Sequence, residues 1–142
     1  MRRRNKSERG ANLVEFALVA PLLMILIFGI IEFSWVFAQN LNVRHGAREG
    51  ARLAAVDFTP LVAETCGRMD IVSGAEVTID GTELNGTTGF GPGDEVAITV
   101  DAPVQEITGM FSSWLPTNLA STVSIRVEQP ATWSEGPAIP CP

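Results

Sequence analysis

The sequence predicts an α+β chain: a long N-terminal transmembrane and extended helix followed by a small antiparallel β-sheet domain. Three observations predict it. Leu13 to Ile31 is 19 residues of apolar sequence broken only by Glu15 and Pro21, which as a helix measures about 28 Å, close to the hydrocarbon thickness of a bilayer. Ser34 to Val56 contains neither proline nor a turn cluster, so the helix is expected to continue beyond the membrane. After Ser73-Gly74 the pattern changes to the two-residue alternation of strands.

Taken in order, residues 1–10 form a basic head with five Lys/Arg and one acid, net +4, whereas residues 56–142 hold two Arg and twelve Asp/Glu, net −10. Positive charge beside a span is held on the cytoplasmic side, so the acidic half is expected outside the cytoplasm. That acidity also argues against a nucleic-acid partner. An ordinary secretory signal has an apolar core of only about 7–15 residues, so the whole span is expected to be retained. A rod from Ala11 to Asp57 is about 70 Å long, too long for its small domain to cover, and needs lipid at one end and other subunits along its length. Thr59-Pro60 reads as an N-cap with proline at the first helical position, opening a second helix to about Met69.

Ala75 to Asp80 reads as a strand closed by an Asp80-Gly81 turn. Asn85 to Asp94, with four glycines and a proline, reads as an exposed hairpin loop. Glu95 to Asp101 is the clearest strand, with Val96, Ile98 and Val100 on one face. Val104 to Trp114 reads as a short helix packing Ile107, Phe111 and Trp114 on the sheet, and Thr122 to Glu128 as the last strand. The proline-rich tail from Pro130 to Pro142 is expected to lie extended on the domain surface. The division is then a leader over 1–10, a membrane and extended helix over 11–57, and an extracytoplasmic domain over 58–142.

Candidate functional residues gather at the head of the span. Burying Glu15 near mid-bilayer costs roughly 2.5–3.5 kcal/mol and less near the interface, which asks for a partner or a purpose. Gly10 ends the basic head and Ala11 is small. The five-residue step from Gly10 to Glu15 resembles that of a type IV prepilin processing site. A peptidase cutting after Gly10 requires a slim residue and an accessible, non-helical approach, both of which glycine offers. The bland alternative is a loop glycine and an interfacial acid of a plain anchor. At the outer end, Glu32 reads as a solvated interfacial acid, with an arginine of another subunit as the alternative partner, and Trp35 suits an interfacial belt.

Farther along, Gly46 and Gly50 with Ala47, Ala51 and Ala55 make a smooth helix face, suited both to close helix–helix approach and to packing on the chain's own domain. Arg44, Arg48 and Arg52 form a stripe that reads as solvated or as intersubunit ion pairs. Cys66 and Cys141 both fall in the acidic half, where an oxidising compartment favours a disulfide over two free thiols. By the loop-entropy estimate such a bridge stabilises by about 4 kcal/mol.

His45 is the lone histidine and offers no zinc spacing or catalytic triad. No Walker loop or dinucleotide fingerprint occurs, so no cofactor is expected and the chain does not read as an enzyme. Asp80, Glu83, Asp94 and Glu95 read as a solvated acidic rim rather than a calcium loop, so no metal is expected.

Gly10, Glu15, Phe16-Ala17-Leu18-Val19-Ala20-Pro21 and Ala47-Arg48-Glu49-Gly50-Ala51-Arg52 together resemble the TadE-like family, the pseudopilins or minor pilins of tight-adherence (Tad, type IVc) pilus systems. The resemblance covers about residues 9–56. It implies cleavage between Gly10 and Ala11 by a prepilin peptidase, after which Glu15 neutralises the new ammonium of a neighbouring subunit. It gives Phe16 and Pro21 a place in the assembly motif, with Phe16 where major Tad pilins commonly carry tyrosine. The implied partners are the peptidase, other pseudopilins, the major pilin and an inner-membrane assembly platform. The implied role is pilus assembly for surface adhesion. An uncleaved, single-pass membrane-anchored binding module is the alternative function.

Overall fold

The computed structural model describes residues 6–84 and 89–142. The Arg2-Arg3-Arg4 head and the middle of the glycine-rich loop, 85–88, lie outside the described residues. Helix α1, Lys6–Ala55, runs 50 residues and continues through Pro21, a length of about 75 Å. Helix α2, Leu61–Gly67, follows. The strands β1, Glu76–Thr82, β2, Glu95–Pro103, β3, Asn118–Arg126, and β4, Gly136–Pro140, form one antiparallel sheet in the order β3-β2-β1-β4.

The inner part of α1 stands alone. From Gly10 to Ile27 nearly every side chain is exposed, whereas from Glu32 onward one face is buried at Glu32, Val36, Gln39, Val43, Gly46, Gly50 and Ala54. That three- and four-residue spacing is the seam a straight helix presents to a partner layer. Here the partner is the chain's own sheet and α2. Val77, Val96, Ile98 and Val100 fill the space between them, with Leu119, Leu61 and Met69 closing the sides.

Helix α1 stops where its backbone turns left-handed at Asp57, φ 53°. The Phe58 amide donates to the Leu53 carbonyl at 3.0 Å and the Asp57 amide to Ala54 at 3.2 Å. That pair satisfies carbonyls a helix end leaves open. The tail then clamps the same end. Trp133 Nε1 donates to the Ala54 carbonyl at 2.9 Å, Thr132 donates from its amide and hydroxyl to the Asp57 carboxylate, and Cys141 is joined to Cys66 by a disulfide across 75 residues.

Several expectations need correction. Helix α2 begins at Leu61 with Pro60 in the N-cap position and no side-chain cap, so Thr59 is not the cap. Asp80-Gly81 is not a turn: both residues belong to β1, and a Cβ on Gly81 would stand 2.3 Å from the Phe90 ring, which occupies the space beside that bare backbone. The carboxyl tail is a sheet strand, β4, paired with β1. Val104 to Trp114 forms no helix beyond the single 3₁₀ turn Ser112–Trp114, and it packs on α1 rather than on the sheet. Its Ile107 and Trp114 are exposed. Asp94 is buried instead of lying on a solvated rim, and its carboxylate accepts hydrogen bonds from the Leu84 and Gly91 amides at 2.7 and 2.9 Å.

Candidate functional site

Two carboxylates on α1 define the site, and they live in opposite surroundings. Glu15 is exposed, and among the described residues it has no hydrogen bond or ion pair. Around it Leu13, Phe16, Leu18 and Leu22 are exposed too. Gly10 and Ala11 lie on the open helix surface, and a Cβ on Gly10 would meet nothing within 4 Å. The approach to Gly10 is therefore accessible but helical, contrary to the non-helical approach expected from the sequence. Unwinding this turn costs less at glycine than at any residue with a Cβ.

Glu32 is the opposite case, and the solvated reading of it is wrong. Its side chain is 0 % exposed. Oε1 accepts from the Ile107 amide at 2.9 Å, while Oε2 accepts from the Thr108 amide at 2.9 Å and the Thr108 hydroxyl at 2.7 Å. Two turns along the same seam Gln39, also fully buried, exchanges a reciprocal pair with Gln105: its Nε2 donates to the Gln105 carbonyl and its Oε1 accepts from the Gln105 amide, each at 2.8 Å. Gln105 in turn donates from Nε2 to Ser73. Phe111 completes the seal. Its ring lies 6.0 Å from that of Phe33 and against Gly29, where a Cβ would stand 3.5 Å from the ring.

The loop between β2 and β3 is thus stitched to the outer end of the apolar span at several levels. A buried carboxylate is tolerated only when its lone pairs are met by donors, and the loop supplies three of them. No sequence-local signal marks these partners, because they stand 75 and 76 residues from Glu32. The seam itself held a signal. Glu32 and Gln39 occupy positions that the Val36/Val43 spacing turns inward, and a polar residue turned inward requires a partner.

The small-residue face is consumed within the chain. A Cβ on Gly50 would stand 2.9 Å from Thr65 and 3.1 Å from Ile98, and one on Gly46 would stand 2.7 Å from Met69. Ala47 and Ala51 are fully buried with them. The close approach is made to Thr65 of α2, to Met69 just after it and to Ile98 of β2, so that face is not open to a neighbouring subunit. The opposite face is open. It carries Ile30, Phe33, Phe37 and Leu41, then Arg44, Arg48 and Arg52, all exposed. Arg52 pairs with Glu49 at 2.9 Å, a mostly solvated contact that adds little stability. Among the described residues no group of three or more His, Cys, Asp or Glu is placed to hold a metal.

Residues 10–52 match the family model described as TadE-like protein. Over this segment the chain is similar to the TadE-like family. The match begins at Gly10 and ends three residues before α1 does, so the TadE-like segment is this helix, span and domain-facing half together. It links the chain to the Tad pilus system. The helix is also long and apolar enough to cross a membrane once. No curated protein and no solved structure matches the chain.

Proposed function

We propose that this TadE-like chain is a pseudopilin, or minor pilin, of a Tad pilus, held in the bacterial inner membrane with its amino terminus in the cytoplasm and its acidic domain outside. It is a substrate of an enzyme and not itself one. Prepilin peptidase cuts between Gly10 and Ala11, removing the +4 head. The mature protein then joins other pseudopilins, the major pilin and the inner-membrane assembly platform to support pilus assembly and surface adhesion.

The observation that carries this reading is the TadE-like match beginning at Gly10, on a helix whose inner half is bare and whose Glu15 has no partner among the described residues. A carboxylate left naked at the head of an apolar helix is suited to meet a cation from another chain. The ammonium of Ala11 on a processed neighbour is such a cation. In a dry helix bundle this pair fixes register, since a mismatched neighbour leaves one charge unpaired.

Co-expression with the prepilin peptidase of the same system tests the reading. The protein is expected to lose ten residues by intact mass, with Ala11 as the new terminus, and Gly10→Leu is expected to block the cut. A mature protein that keeps Met1 in its native host sinks the proposal.

A further inference from the structure

We propose that the loop from Ile107 to Trp114 is a second membrane contact: a foot inserted in the outer lipid interface beside α1. The inference rests on the reading of α1 as a membrane anchor. Its first support is height. Phe111 packs on Gly29 and Phe33, so the loop reaches the level of the Leu13–Ile31 stretch, whose surroundings in a spanning helix are lipid. Its second support is composition: in a half of the molecule with twelve acids, residues 107–125 carry no charged side chain.

The third support is exposure. Ile107 and Met110 are more than half exposed and Trp114 is 81 % exposed, while Phe111, between Met110 and Trp114, packs on the half-exposed Phe33 of the helix. In water such a patch has an unfavourable hydration cost. At a bilayer surface tryptophan and aliphatic side chains are at home.

The fourth is the backbone. Peptide groups entering a lipid interface must be satisfied within the protein, and this loop does much of that work itself. The Ile107 and Thr108 amides donate to Glu32, the Met110 amide to the Thr108 hydroxyl at 3.3 Å, and the Trp114 amide to the Phe111 carbonyl at 2.8 Å. The Glu32 cage therefore has a second consequence. It hides two amides of a loop that faces lipid and holds the foot at one depth. With α1 and the foot both engaged, the domain stands on two supports and its azimuth and tilt are fixed.

The test uses the full chain reconstituted in vesicles of phosphatidylethanolamine and phosphatidylglycerol, with and without brominated acyl chains, comparing tryptophan emission of the wild type with Trp114→Phe. Trp114 is exposed, so the replacement spares the fold. Loss in the variant of most of the quenching by brominated chains, together with shielding of Trp114 from aqueous iodide, is the expected result. Free quenching of Trp114 by iodide and none by bromine, in a chain that still resists carbonate extraction, overturns the foot while leaving the anchor intact. Failure to resist carbonate overturns both. Shielding from both quenchers that disappears on dilution with lipid overturns it as well, by showing that another copy covers the loop.

Discussion

Glu15 and Glu32 lie on one helix, 17 residues apart, and differ in everything but chemistry. Glu32 is enclosed by three donors from a distant loop, whereas Glu15 sits exposed with no partner among the described residues. A carboxylate whose partners fold with it is an element of the fold. One whose surroundings are bare plays no part in the fold. The outer half of α1 is accordingly a piece of the domain, while the inner half is bare, long and apolar enough to cross a membrane.

Breaking Glu32 is expected to have the largest effect on the fold. Glu32→Ala leaves the Ile107 and Thr108 amides and the Thr108 hydroxyl unmet in a buried site, at a cost of about 3 kcal/mol. Glu32→Gln keeps one acceptor but turns an amide N–H toward donors, and is expected to cost about half as much. Denaturant unfolding of the detergent-solubilised chain measures both. Hydrogen exchange at Ile107 and Thr108 reports whether the cage has opened. Wild-type stability in Glu32→Ala with those amides still protected contradicts the cage.

A second comparison lies within the outer half. Gly50→Ala drives a methyl against Thr65 and Ile98 in the fixed core, whereas Gly46→Ala meets the Cγ and Sδ of Met69, a buried but unbranched side chain that can change rotamer. The first is expected to destabilise by about 2 kcal/mol. The second is expected to lie near zero, because the helix-propensity gain of alanine, about 1 kcal/mol, offsets the adjustment. Equal losses at the two positions would show that approach distance is not what requires glycine there.

These contrasts also explain what the sequence made legible. The span and the outer helix were readable because apolar length and the absence of breakers are local properties. Strand β2 was readable because Val96, Ile98 and Val100 alternate against one core. The segment from Val104 to Trp114 was misread because its apolar spacing resembles a helix, while its path is set by acceptors on Glu32 and Gln39 that local pattern cannot reveal. Gly81 was misread for a similar reason. Its bareness serves Phe90, nine residues later, and not a turn. Glu32 itself was taken as solvated because a charge at the end of a span ordinarily is, and the loop that buries it lies on the far side of two strands.

Glu15→Gln carries the smallest expected effect on the fold and sharpens the comparison most. The side chain is exposed and has no partner among the described residues, so the unfolding free energy of the isolated chain is expected to change by less than about 0.5 kcal/mol. Cleavage after Gly10 is expected to persist, since the proposed processing depends on the glycine and the basic head. Assembly is expected to fail, because glutamine keeps size and hydrogen bonding but leaves the ammonium of a neighbour's Ala11 unpaired in a dry bundle, at a cost of several kcal/mol. The variant is therefore expected to be stable and processed, yet to lose co-purification with its pilin partners and to give no piliation in a strain lacking the wild-type copy. Normal piliation in that strain would reduce Glu15 to an interfacial acid, and the contrast with Glu32 would then separate a structural carboxylate from an idle one.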